Sequence, residues 1–140
     1  MSMLRQFRAL PLAVLVFCAV MISADVYEIL EYNNFPFGIL PSNIDTYIFN
    51  KTNGNFEVNL YRECKIHQAG HKIRYRQHIT GNITFGVIDN LQGVGVKFLF
   101  LYAPINTVTV RKNLLTAVMI GGTWSSSYDV NKFVEIKDCL

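Results

Sequence analysis

No run of 18 or more apolar residues occurs in this chain of 140, so a permanent membrane-spanning helix is not expected. Charge is scarce: 16% of residues are charged, with 13 Lys and Arg against 10 Asp and Glu, which excludes charge-driven disorder and an acidic or basic tail. Three cysteines are too few for a cysteine-framework miniprotein. Internal repeats, linkers and low-complexity tracts are absent. What remains is 51% hydrophobic and 13% aromatic, enough for one domain with a sizeable core. These residue types do not name a reaction or a ligand.

The first 24 residues read as a secretory signal peptide. Arg5 and Arg8 form a basic head, residues 10–22 run apolar with one interruption at Pro11, and Ser23 and Ala24 are small. Cleavage after Ala24 is expected, with Edman sequencing of the mature protein starting at Asp25; the alternative is an uncleaved signal anchor. Residues 1–24 hold two of the 13 basic residues and no acid, which leaves eleven against ten. A nearly neutral mature chain gives no reason to expect a nucleic-acid partner. Secretion or residence in the endomembrane system follows from the signal.

Cys18 falls in the signal, leaving Cys64 and Cys139 as an even pair in an oxidising route. A disulfide between them is expected; two free thiols are the alternative. Two N-glycosylation sequons, at Asn50 and Asn82, each abut an expected turn.

Residues 25–33 carry Val26, Ile29 and Leu30 on one helical face and end at Asn33, Asn34 and Pro36, so a short N-terminal helix is expected. From Ile44 the period becomes two. Asn53-Gly54 marks a hairpin, and Phe56, Val58 and Leu60 alternate with polar neighbours. Ile73, Tyr75 and Ile79 then alternate with Lys72, Arg74, Arg76 and His78. Gly81-Asn82 and the stretch from Asp89-Asn90 to Gly93 predict breaks. Residues 94–103 read as one strand buried on both faces at its middle, ended by Pro104 and Asn106. Further strands are expected at 107–111, 114–120, 123–128 and 132–137. With no ten-residue helical period between them, parallel crossovers are not expected. The expected fold is all-β: an antiparallel barrel or folded sandwich of about eight to ten short strands with one short helix.

Several segments together carry a family resemblance. They are 27–31, the Phe35-Pro36-Phe37-Gly38 run to Pro41, 53–58, Cys64, and 73–83 continuing through 91–97 into Phe98-Leu99-Phe100-Leu101. In this order they resemble the plant family catalogued as domain of unknown function 538, across essentially all of 25–140. The resemblance implies a compact β-rich domain, often secreted, whose fold has been likened to part of the lipid-binding bactericidal/permeability-increasing proteins. It supplies no agreed activity and no catalytic residues. This chain departs from the pattern at Tyr102, where members often carry Trp, and in the polar stretch 123–131.

Four constellations are candidates for function. Residues 62–78 hold five of the eleven mature basic residues, all three histidines and one acid, Glu63. Their basic patch, Lys72, Arg74, Arg76 and His78, suits a lipid headgroup, a membrane surface or a cell-wall polyanion; the plain alternative is a solvated strand face. Tyr75, Phe85, Phe98, Phe100 and Tyr102 are candidates to line a cavity for an apolar or lipid-like small molecule, against an ordinary core. Phe98 and Phe100 are expected on one face of a central strand. Ser125, Ser126 or Ser127 with His78 and Asp89 or Asp129 supply the residue types of an esterase, without a Gly-x-Ser-x-Gly elbow. His67 and His71 lack a helix to align them, so neither a metal nor a cofactor is expected. The leading expectation is a monomeric, non-enzymatic binder of an apolar or amphipathic ligand, ahead of an esterase-like hydrolase or an anionic-surface module.

Overall fold

The computed structural model describes residues 23–119, 122 and 124–140. The expected signal peptide lies outside the described residues, apart from its end at Ser23 and Ala24. Helix α1 (Ser23–Tyr32) begins two residues earlier than the sequence predicts and buries Val26 and Leu30. It ends in a Schellman cap: Asn34 takes φ +70°, and the Phe35 amide donates to the Leu30 carbonyl at 2.8 Å. A single 3-10 turn, Phe37–Ile39, follows.

Eight strands then form one antiparallel sheet: β1 (Ile44–Phe49), β2 (Asn55–Leu60), β3 (Cys64–Gln68), β4 (His71–Thr84), β5 (Val87–Phe98), β6 (Leu101–Arg111), β7 (Leu114–Met119) and β8 (Ser125–Asp129). The order is β1-β2-β4-β5-β6-β7-β8. β2 and β3 share one edge of β4, β3 pairing with residues 71–75 and β2 with 78–82. The all-β antiparallel expectation holds, but β1 and β8 do not pair, so the sheet is not a closed barrel. It is nevertheless strongly curled. The Tyr128 hydroxyl on β8 lies 2.6 Å from His71 Nε2 at the start of β4, although β5, β6 and β7 lie between these strands in the sheet. Strands spaced about 4.8 Å apart in a flat sheet could not meet in this way.

The curl has an identifiable source in positions that the sequence suggested were turns. Gly81-Asn82 lies inside β4, and Asn90 and Gly93 lie inside β5, at φ +50° and +98°. The β4–β5 ladder shifts register on both sides of Thr80. These are bulges, which add twist and bend long strands without ending them. At Gly93 a Cβ would sit 2.6 Å from the His78 carbonyl oxygen, so only glycine fits there. β6 likewise runs on through Pro104 and Asn106 instead of stopping. The expected strand at 132–137 is absent; a 3-10 turn (Val130–Phe133) and an irregular tail take its place.

The largest difference falls at 94–103. The chain reverses at Leu99-Phe100, pairing Phe98 with Leu101. No Gly or Asn signals this hairpin, and Leu99 takes φ +55°. The continuous apolar run conceals a turn.

Cys64 and Cys139 form a disulfide, Cα atoms 5.2 Å apart. Next to it the Leu140 amide donates to the Lys65 carbonyl at 2.8 Å. Further up the tail, buried Gln68 Nε2 donates to the Gly38 carbonyl at 3.2 Å and the Glu135 carbonyl at 3.0 Å. The tail is thus tied to β3 and to the first 3-10 turn.

Candidate functional site: an apolar cavity inside the curled sheet

The concave face of the sheet, together with Val26, Ile29 and Leu30 of α1, lines a partly open apolar cavity of about 120 Å³. Ile73, Tyr75 and Ile79 line it from β4, Val96 and Phe98 from β5, and Val108 from β6. Polar groups collect where Gln68, His71, Ser126 and Tyr128 reach the lining. Period two explains the set: along β4, Ile73 and Tyr75 are buried while Lys72 and Arg74 face out.

Two of the five expected lining residues are there. Tyr75 is fully buried, and its hydroxyl donates to the Ile39 carbonyl at 2.7 Å. Phe98 packs between Trp124, with ring centroids 3.6 Å apart, and His71, at 5.9 Å. The other three are not in the cavity. Phe100 stands at the β5–β6 turn and is 91% exposed. Phe85 sits just before Gly86 at the β4–β5 turn and is 71% exposed. Tyr102 pairs with Lys97 on the outer face, where its ring lies 4.6 Å from the Arg74 guanidinium. Sequence reasoning missed His71 and Tyr128, whose mutual hydrogen bond depends on the curl and has no local signal.

Burial pushes the Tyr27 phenol up to about 12, its hydroxyl donating to the Pro41 carbonyl at 2.6 Å. Tyr75 is raised further, first by burial and then by its proximity to Tyr27. A phenol whose pKa is raised by folding keeps its proton in the folded state while the unfolded chain releases it. Stability is therefore full below pH 10 and falls as pH rises from 10 toward 12. Alkaline denaturation should show this slope, and Tyr27→Phe should flatten it; an unchanged slope would contradict the buried-phenol assignment.

The basic residues divide by position. Arg76 is exposed, and His78 is engaged, with Nδ1 2.7 Å from Asn59 Oδ1 and Nε2 3.7 Å from Glu57. Lys72 and Arg74 lie on the outer face near the β5–β6 turn. The esterase residue types are not brought together. Ser126 lines the interior, His78 lies on the exterior, and Asp129 caps the second 3-10 turn by accepting from the Asn131 amide. No group of three metal-ligating side chains forms among the described residues. Of the two sequons, Asn50 is exposed and holds the β1–β2 turn, its Oδ1 accepting from the Thr52 amide at 2.9 Å. Asn82 lies within β4, not at a turn, and its Nδ2 donates to the Asn53 carbonyl at 2.6 Å and to Asn55 Oδ1 at 2.9 Å. A glycan on that nitrogen leaves it one N–H, so at least one of these bonds would be lost.

No curated protein and no solved structure matches the chain. The profile of a family described as "Protein of unknown function, DUF538" matches residues 26–134, from Val26 in α1 to Val134, just after the second 3-10 turn. The chain therefore belongs to the DUF538 family.

Proposed function

We propose that the protein is a secreted, non-enzymatic carrier or sensor of an amphipathic, lipid-like ligand, with the ligand's apolar end held inside the curled sheet. The observation that carries this reading is the cavity, apolar over nearly all its wall and polar at Gln68, His71, Ser126 and Tyr128. Its size sets the occupant. About 120 Å³ is near the ~150 Å³ that admits a benzene ring and below the ~300 Å³ at which ordinary ligand pockets begin. One chain end or one ring fits, with the rest of the ligand outside. On this reading residues 1–24 are removed on export, and Asn50 is the sequon whose glycosylation the fold favours.

Ala117 is buried, lines the cavity and offers room for a larger side chain. Ala117→Leu should lower the affinity for a fluorescent fatty-acid probe at least tenfold with little change in melting temperature. In a filled core the same change would overpack and cost about 1 to 3 kcal/mol. Probe affinity unchanged by the substitution, or no probe binding by the wild type, would overturn the proposal.

A further inference from the structure

The β5–β6 turn presents Leu99, Phe100 and Leu101 to solvent at 87%, 91% and 76% exposure. A two-residue hairpin with positive φ at its first central position suits Gly, yet this one has Leu at φ +55° followed by Phe. Leu99 violates both the local backbone preference and the usual burial of large apolar side chains, and Phe100 violates the second. At the neighbouring β7–β8 turn, Trp124 is 43% exposed and its ring is tilted against that of Phe98.

Behind this tip the outer face carries several basic residues. Lys65 stands directly opposite Arg74. Lys72 and Lys97 flank the Ile73–Val96 pair, Lys72 just before Ile73 on β4 and Lys97 just after Val96 on β5. Like charges directly across a ladder destabilise a sheet. Among the described residues the ion pairs are His78–Glu57 and Lys137–Glu135, so none of these cations has a carboxylate partner. Tyr102 instead lies between the Arg74 guanidinium, at 4.6 Å, and the Lys65 ammonium, at 5.7 Å.

We infer that the Leu99-Phe100-Leu101 hairpin is a membrane anchor that inserts into the interface of an anionic bilayer, with Lys97, Lys72, Arg74 and Lys65 on the lipid phosphates. The spacing fits. Lys97 lies two residues behind Leu99, about 7 Å at ~3.3 Å per residue, comparable to the ~5–10 Å depth of interfacial insertion. Trp124 then lies at headgroup level, where an amphipathic ring is favoured. This inference does not rest on occupancy of the cavity.

The test is co-sedimentation of the purified protein with phosphatidylcholine vesicles, with and without an equal amount of phosphatidylserine. Binding should be at least tenfold stronger on the anionic vesicles and should weaken with salt. The double variant Leu99→Gly/Phe100→Asn should lose at least tenfold in affinity. Glycine suits the positive φ at the first central position, so its melting temperature should be no lower than wild type, which separates lost anchoring from lost folding. Lys72→Gln and Lys97→Gln should each cost about fivefold on anionic vesicles only. The hairpin variant should still take up a soluble fatty-acid probe, and Ala117→Leu should still sediment with vesicles, so the two proposals fail separately. Equal binding to both vesicle types, undiminished binding of the hairpin variant, or retention on polygalacturonate without vesicle binding would overturn the inference.

Discussion

Replacing Cys64 and Cys139 together by serine should lower the free energy of unfolding by about 4 kcal/mol, with a drop in melting temperature on the order of 15 °C. The bond links residues 75 apart, so it removes a large share of the unfolded chain's freedom. The chain-entropy estimate for such a loop is roughly 4 to 5 kcal/mol, as an upper figure. The native state also depends on the bond. The tail after Phe133 has no regular structure and reaches β3 through the disulfide, the Leu140 amide and the two-pronged bond of Gln68. Reduction should therefore free residues 134–140 first, seen as rapid amide exchange of Leu140, before the sheet unfolds. A reduced protein with wild-type melting would show that the tail contributes nothing to the fold.

Gly38→Ala should destabilise the protein by about 3 kcal/mol or more, a large effect for one methyl group. A Cβ at this position would stand 2.2 Å from the Phe133 carbonyl oxygen and 2.4 Å from that of Glu135. Both are backbone atoms, so no rotamer change relieves the clash. The tail cannot simply retreat, because Gln68 holds the carbonyls of Gly38 and Glu135 together and Cys139 is covalently fixed. Urea denaturation of Gly38→Ala beside Gly70→Asn provides the comparison. Gly70 lies at an exposed turn at φ +81°, and a Cβ added there would meet no other atom within 4 Å. Asparagine tolerates that backbone, so the cost of Gly70→Asn should be small. Equal stability of the two variants would show that the close approach at Gly38 is not part of the solution fold.

The cost at Gly38 was not legible in the chain's order. Its partners, residues 133–135, lie almost a hundred positions away, and a glycine between Phe37 and Ile39 reads locally as a loop marker. The same holds for Gly93. Its positive φ and contact with the His78 carbonyl make it a bulge, whereas its neighbours Asp89 and Asn90 suggest a turn. At the candidate site, alternation was enough to place Tyr75 inside and Lys72 and Arg74 outside. Alternation failed for Phe100, because a face assignment holds only within one strand and the run 94–103 contains a hairpin that neither Gly nor Asn marks.

The antiparallel all-β character, the short first helix, the Cys64–Cys139 pairing and the family were all legible in the order of residues. Each rests on local periodicity, on parity of cysteines or on an ordered set of short motifs, and these survive without coordinates. That the sheet stays open yet curls far enough to bring Tyr128 against His71 emerges only in three dimensions. So does the placement of Phe98 inside a cavity while Leu99, Phe100 and Leu101 stand in solvent. The reason is physical: curl accumulates from bulges whose register depends on the partner strand, and a turn formed by apolar residues is stabilised by the ladder on either side instead of by its own dihedral preferences.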